Sequence, residues 1–460
     1  MIPLTLAEIA GLVGGTQHDS ADQPALVTGG VEFDSRRVGP GALFVALPGD
    51  RVDGHDFAAA AVASGAVGVL ATRPVGVPAV VVPDVLTGLA ELARAVLTAL
   101  PAITVVGVTG SAGKTSTKDL LAGLLGRLGP TVAPPGSFNN ELGLPYTVLR
   151  ASTATRYLVL ENSARGLGHI AQLCRIAPPR IAVVLNVGSA HLGEFGSKEV
   201  VAAAKGELVE AVPEDGVVVL NADDPRVVAM ASRTRARVVW FGQDADVAAT
   251  DIVLDDRGRP SYTLRTPVGS APVRLRLHGL HQVPNSLAAA AVAGQLGLPV
   301  PQIAAELSAA TPASRWRMEV TERADGALIV NDAYNANPDS MRAALAALRA
   351  MAAGRRWAVL GPMAELGPDA EVEHHALGRY AAGLGVDRLV VVGDAATGIV
   401  AGAGGSATQV VWLPDADAAV ELLATELRAG DVVLVKASRS AGLERVALEL
   451  VADVAVEGRA

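Results

Sequence analysis

Cysteine is almost absent from this 460-residue chain. Cys174 stands alone, so an internal disulfide is excluded, which suits a reducing compartment. Long apolar runs are also missing. Half the residues are hydrophobic and the mean hydropathy is +0.36, yet Gly, Pro and charge break every Ala/Val/Leu run before the ~20 residues a spanning helix needs. No basic segment precedes the first apolar residues, and Glu8 follows early, so the start does not read as a signal peptide. A surplus of positive charge is absent too: 38 Lys and Arg against 47 Asp and Glu give −9. That excludes a general nucleic-acid binder but not a nucleotide site. Short-period repeats, low-complexity tracts and charged tails are likewise missing. The expectation is a soluble, cytoplasmic, multidomain protein, since a chain of this length fits roughly two to four domains of ~100–200 residues.

Lysine is scarce. Only Lys114, Lys118, Lys198, Lys205 and Lys436 occur, against a large excess of Arg. Each is therefore worth weighing individually, because an ammonium can lose its proton and a guanidinium in practice does not.

From about residue 101 the chain alternates apolar, β-branched runs with Ala/Leu-rich helical runs. Strands are expected at 103–108, 157–160, 181–186 and 217–220, with helices at 114–128 and 197–212. Continuous apolar strands separated by helices indicate a parallel sheet covered on both faces. Shorter, more alternating segments at 245–278 predict a small antiparallel excursion. The α/β pattern resumes with strands at 327–330, 357–360, 388–392 and 432–435. The first hundred residues are richer in Gly and Pro, with short elements around 33–38 and 42–47. The resulting expectation is an α/β chain of three domains, 1–100, 101–313 and 314–460.

The strongest local signal is Thr109-Gly110-Ser111-Ala112-Gly113-Lys114-Thr115-Ser116, after a strand and opening a helix. Small residues let backbone N–H groups approach phosphate oxygens, and the helix N-terminus adds positive potential. Lys114 would reach the β- and γ-phosphates, and the Thr115 hydroxyl would face Mg²⁺. Val108 stands where the usual first glycine of this motif would be. The plainer alternative is a tight strand–helix turn with an incidental lysine.

Glu161 and His191 follow the ends of apolar strands, the rim on which ligands sit in parallel sheets. A carboxylate there suits Mg²⁺, although a capping carboxylate and a satisfied loop histidine are the plainer readings. Lys205 lies in a helical run with Val201, Ala202, Leu208 and Val209 at three and four positions, and no carboxylate is placed for an i,i+4 pair. Desolvation on such a stripe favours the neutral amine, the form that adds CO₂ to give a carbamate; a surface lysine snorkelling from the helix edge is the alternative. In His281-Gln282-Val283-Pro284-Asn285, Asn285 reads first as the cap of the Ala-rich helix that follows. Asp332-Ala333-Tyr334-Asn335-Ala336-Asn337-Pro338 reads as a strand end, with Asn337 as cap and Pro338 at the first helical position. It carries more amide and acid groups than capping requires. Lys436-Ala437-Ser438-Arg439 forms another polar strand end.

Taken in order along nearly the whole chain, these motifs resemble the ATP-dependent Mur ligases of peptidoglycan synthesis. Further markers are Asp34-Ser35-Arg36, the runs 40–47 and 53–57, Asn139-Asn140-Glu141-Leu142-Gly143-Leu144-Pro145 and Ala204-Lys205-Gly206-Glu207. The Tyr-Asn-Ala-Asn-Pro run resembles the type that joins D-Ala-D-Ala to UDP-MurNAc-tripeptide. The resemblance implies a small N-terminal α/β UDP-binding domain, a central parallel-sheet ATPase domain and a C-terminal Rossmann-like ligase domain. It implies ATP-driven amide formation through an acyl phosphate, by a monomer that takes neither nucleic acid nor membrane.

By the same resemblance, residues Gly110 through Ser116 hold ATP phosphates, and Thr115 and Glu161 hold one Mg²⁺. His191 and a carbamylated Lys205 (N6-carboxylysine) hold a second Mg²⁺. Asn285, Arg317 and Asp332 contact the nucleotide. Ser35 and Arg36 bind the UDP end, Asn139 and Asn140 the muramyl part. Asn335, Asn337, Lys436 and Ser438 lie on the acceptor side. The run from Glu161 to His169 departs from the usual Glu-Met-Gly-Ala, and Ala437 stands where glycine is usual. A sister ligase adding a single amino acid, such as meso-diaminopimelate, to UDP-MurNAc-dipeptide shares the ATP-site motifs. A folylpolyglutamate-type ligase would not need the segment around Asp34, and a non-catalytic scaffold would not need Lys114, Glu161, His191 and Lys205 intact.

Overall fold

The computed structural model describes residues 1–19, 25–49, 52–189 and 192–457. Three α/β units follow one another. The first has a five-stranded sheet in the order Thr16–His18, Ala79–Val81, Gly68–Ala71, Leu43–Val45, Val31–Glu32. Its first pairing is antiparallel and the rest are parallel. In the region 33–38 the chain forms a 3-10 turn, Ser35–Arg37, capped by the Asp34 carboxylate. Among the described residues no helix is long and apolar enough to cross a membrane.

The central sheet has six strands, all parallel, in the order Arg237–Phe241, Val217–Asn221, Ile181–Val184, Thr104–Thr109, Tyr157–Glu161, Thr131–Val132. Strand Tyr157–Glu161 is buried along its whole length, as its unbroken apolar run requires. Side chains alternate between two cores. Val106, Val108, Val159 and Val183 pack beneath helices Lys114–Gly126 and Gln282–Gln295. On the other face Val105, Leu158 and Leu160 share a core with Leu89, Leu92 and Leu97 of helix Val85–Thr98. That second core runs without a break from the first unit into the central one. Phe33, Phe138 and Tyr146 close the same junction, with ring centroids 5.1–6.2 Å apart, and the Tyr146 hydroxyl donates to Glu32 at 3.2 Å.

The antiparallel excursion is a three-stranded sheet, Ala248–Leu254, Pro260–Thr266 and Gly269–Arg274. The last sheet runs Glu319–Glu322, Leu328–Asn331, Val432–Lys436, Arg356–Leu360, Arg388–Val392, Gln409–Leu413, parallel except for its first pairing. Its two edge strands were not legible in the sequence, being largely polar or exposed. Asn285 also departs from expectation. Helix Gln282–Gln295 begins one turn earlier, with His281 at the cap position, so Asn285 is an interior and buried residue. Proline at position 284 allows this, because the first turn of a helix does not need its N–H groups.

Replacing Phe33 with Ala removes two aromatic contacts at the junction of the first two units. The substitution is expected to cost about 2 kcal/mol, read as an earlier first transition in urea unfolding.

Candidate functional site

Parallel strands bring their carboxyl ends to one rim, and the strand Thr104–Thr109 lies between Tyr157–Glu161 and Ile181–Val184. The loop that leaves Thr109 is therefore flanked by Glu161 on one side and Asn186 on the other. Asn186 braces the loop directly: its Oδ1 accepts from the amides of Ser111 and Ala112, both at 2.9 Å, and its Nδ2 donates to the Ala112 carbonyl. Gly113 has φ +85° and caps helix Lys114–Gly126. A Cβ there would stand 2.3 Å from Asn285 Oδ1, so glycine is required twice over, by backbone and by space. Asn285 is thereby placed against the loop, its Nδ2 held by Gln282 Oε1 at 3.1 Å.

Lys114 curls over the loop and donates to the Gly110 carbonyl at 2.6 Å. Burial lowers its pKa to about 8, with Glu161 acting in the opposite direction and Arg317 reinforcing the shift. Glu161 is fully buried. Its Oε2 accepts from Thr115 and Ser137, both at 3.2 Å, while Oε1 has no hydrogen-bond partner among the described residues. Leaving a carboxylate oxygen buried and unpartnered is costly. A hydroxyl, a half-satisfied carboxylate and a phosphate-type loop form the donor set that a hard divalent cation takes. These residues fit Mg²⁺.

Lys205 is buried on helix Lys198–Glu210, the same helix whose Val201, Leu208 and Val209 enter the core. Among the described residues no carboxylate pairs with it. Burial lowers its pKa well below the ordinary value, and the Lys114 ammonium adds to the effect. Glu207, two residues on, accepts from the amides of Gly168 and Ala171 at 2.6 and 2.9 Å and so ties this helix to the start of helix His169–Ile176. His191, the other residue expected at this rim, lies outside the described residues.

Across a cleft of about 860 Å³ stands the third unit. Ser111 through Ser116, Asn139, Asn140, Asn285, Arg317, Asp332, Asn335, Asn337, Lys436 and Ser438 all line this one cleft. Asp332, half-buried, and Lys436, buried, form an ion pair at 2.6 Å, and Asp332 also accepts from the Met318 amide at 2.9 Å. Asn337 caps helix Pro338–Ala350 through a reciprocal box with Ser340. The Arg317 guanidinium lies 4.2 Å from the Tyr334 ring centroid, and Nε has no hydrogen-bond partner among the described residues. Arg317 is flanked by Trp316 and Met318, both with left-handed backbones at φ 59° and 51°. Just before them, the Ser314 amide donates to Asp119 and its hydroxyl accepts from Lys118, both on the helix that follows the phosphate loop.

Ser35 and Arg36 are not part of this cleft; Arg36 is exposed and paired with Asp34 at 2.8 Å. Asn186 and Ser137 are not singled out from sequence, and Glu207, His281 and Tyr334 enter there only as members of longer runs. Asn186 carried a signal, as a polar residue closing an apolar strand run. Ser137, Glu207 and Tyr334 act through partners distant in sequence, Glu161, the Gly168 and Ala171 amides and Arg317 in turn.

Comparisons with known proteins agree with this arrangement. Family models match residues 28–111 (Mur ligase family, catalytic domain), 108–293 (Mur ligase middle domain) and 316–439 (Mur ligase, glutamate ligase domain). The chain is 55% identical to the UDP-N-acetylmuramoyl-tripeptide–D-alanyl-D-alanine ligase of Mycobacterium tuberculosis, covering 98% of each. It resembles the UDP-N-acetylmuramoylalanyl-D-glutamyl-2,6-diaminopimelate–D-alanyl-D-alanyl ligase of Acinetobacter baumannii, with a TM-score of 0.84, 31% identity and 97% and 98% coverage. The MurF ligase of Thermotoga maritima, solved in complex with ADP, matches with a TM-score of 0.81 and 34% identity over 94% of this chain and 99% of that one.

Gly113→Ala places a methyl group against Asn285 in a backbone that disfavours it. Calorimetry with ADP is expected to show affinity lower by at least about tenfold, with the circular dichroism spectrum unchanged.

Proposed function

Starting from the fact that this chain belongs to the Mur ligase family, we propose that it joins D-Ala-D-Ala to UDP-MurNAc-tripeptide at the expense of ATP. The observation that carries the reading is that similarity to ligases of this substrate pair extends over 98% of both chains, with the braced phosphate loop and the Tyr334–Pro338 run facing one cleft.

A carboxylate is a poor electrophile. In the proposed reaction the terminal carboxylate of the tripeptide attacks the γ-phosphorus of ATP, ADP leaves, and an acyl phosphate forms. The amine of D-Ala-D-Ala then attacks the acyl carbon; phosphate leaves with the bonding pair, and the nitrogen loses a proton to give the amide. Lys114 and the amides of the 110–116 loop hold the triphosphate and offset its charge. Arg317 reaches the phosphates from the third unit, Asp332 the ribose, and Asn285 the nucleotide from beside Gly113. Thr115 and Glu161 hold one Mg²⁺, and His191 with Lys205 a second. When bound, these cations supply the positive charge that a crowd of phosphate oxygens requires.

Lys205 serves this role only after modification. Its neutral amine adds CO₂ to give a carbamate and a proton, exchanging a cation for an anionic oxygen ligand. The buried position, with no carboxylate paired to it among the described residues, supports the neutral form. The division of labour follows the three units: 1–100 for UDP through Ser35 and Arg36, 101–313 for ATP with Asn139 and Asn140 toward the muramyl part, and 314–460 for the acceptor. Within the last, Lys436 fixes Asp332 and the turn at Asn335, to whose carbonyl it also donates at 2.8 Å. Asn335, Asn337 and Ser438 border the acceptor side.

The test is phosphate release with ATP, Mg²⁺ and UDP-MurNAc-tripeptide, comparing D-Ala-D-Ala with single amino acids. Release that requires D-Ala-D-Ala, with a pentapeptide product by mass, supports the proposal. Turnover only with a single amino acid and the dipeptide precursor would replace it with the sister reaction. Lys205→Ala is expected to lose about 100-fold or more in turnover, and Lys205→Glu to retain a measurable part, because a carboxylate restores the anionic oxygen. Lowering pH protonates the amine and reverses the carbamate. Activity is therefore expected to fall toward acid pH and, after CO₂ is stripped, to recover on adding bicarbonate.

A further inference from the structure

The loop 187–189, which follows strand Ile181–Val184, presents three successive backbone N–H groups to three different parts of the molecule. Val187 donates to Asp224 at 2.7 Å, within the central unit. Gly188 donates to the Ser111 hydroxyl of the phosphate loop at 2.8 Å. Ser189 donates to Asp339 Oδ2 at 2.8 Å, and Asp339 belongs to the third unit. Together with Asn186, which holds the Ser111 and Ala112 amides, this short stretch carries the phosphate loop on one side and a carboxylate of the third unit on the other.

Asp339 is suited to that contact. It sits in the first turn of helix Pro338–Ala350, where the helix dipole favours a negative charge. The helix itself is started by the Asn337–Ser340 box, so the carboxylate is not needed as a cap. Its other oxygen lies 3.8 Å from Arg342, whose guanidinium also pairs with Glu373 at 3.1 Å. The fit is close: a Cβ on Gly188 would stand 2.2 Å from Asp339 Oδ2. Glycine at 188 therefore has a steric reason unrelated to backbone conformation, namely that the third unit's carboxylate occupies the space a side chain would fill.

We infer that Asp339 is a positioning residue, a latch that holds the third unit against the phosphate loop through the Ser189 amide while the acyl phosphate awaits its amine. The inference rests on the ligase reading above. Without the latch the third unit stays away from the loop more of the time, and water reaches the intermediate. Water then takes the place of the amine, returning the tripeptide carboxylate and free phosphate, so ADP forms without amide.

The experiment compares the full-length chain with Asp339→Ala, Asp339→Asn, Gly188→Ala and the Gly188→Ala/Asp339→Ala double variant, measuring ADP and amide together at saturating substrates. Asp339→Ala is expected to lower amide turnover about tenfold and to raise ADP formed per amide, with the KM for ATP changed by less than about threefold. Asp339→Asn keeps an oxygen acceptor for the Ser189 amide and is expected to stay within about twofold of the unsubstituted chain. Gly188→Ala should uncouple in the same way by displacing the carboxylate, and the double variant should be no worse than the poorer single one. An unchanged ADP-to-amide ratio in Asp339→Ala overturns the latch. Multiplicative losses in the double variant, or an Asn variant as impaired as Ala, overturn it equally. Hydrogen exchange over 187–189 with ADP bound reads the contact without any turnover. Faster exchange in Asp339→Ala supports the latch and unchanged exchange refutes it, whereas absence of amide product from the unsubstituted chain counts against the ligase reading alone.

Discussion

A carboxylate sealed from water with one oxygen unpartnered is the constraint around which the rim of the central sheet is organised. Glu161 ends a strand buried along its whole length, and among the described residues its neighbours supply hydroxyl donors to Oε2 and nothing to Oε1. Burying such a group is costly, and a bound cation is one way to complete it. The rest of the rim follows the same logic. Lys114 is folded onto a carbonyl of its own loop, and Lys205 is buried with no acidic partner among the described residues.

The parts of the molecule that do satisfy themselves are equally informative. Asp332, just past the end of one strand of the third sheet, and Lys436, at the end of its neighbour, neutralise each other at 2.6 Å, and Lys436 also holds the Asp332 and Asn335 carbonyls. Breaking one partner of such a largely buried pair leaves an isolated charge, so the pair fixes the polar end of that sheet firmly. The linker behaves differently. Ser314 is bolted to the helix behind the phosphate loop, while Trp316 and Met318, on either side of Arg317, hold left-handed backbones that bulky residues rarely adopt. Arg317 is therefore carried between a fixed point in one unit and a fixed point in the next, which is how a residue distant from the phosphate loop comes to line its cleft.

Much of this was legible beforehand because it is local. Unbroken apolar runs mark doubly covered parallel strands, and a small-residue loop between strand and helix marks a phosphate site. Polar residues after such runs, Glu161 among them, fall on the same rim by topology alone. The failures have a common cause as well. Edge strands Glu319–Glu322 and Gln409–Leu413 lack the buried alternation that signals a strand, because one side of each has no neighbour. Asn285 looked like a cap because its type favours caps. A proline one position earlier let the helix start sooner and moved the side chain into the interior against Gly113.

Periodicities, the phosphate loop and the chemistry each candidate side chain has to offer can be read along the chain, since all of these depend on residues within a few positions of one another. Which groups go unsatisfied is set by packing instead. The Asp332–Lys436 pair and the reach of Asp339 to Ser189 join positions more than a hundred residues apart, and the Glu161 oxygen and the Lys205 amine are set apart by having no partner among the described residues. Partnership and desolvation are properties of the packed neighbourhood, and packing brings together segments whose separation along the chain carries no local signal.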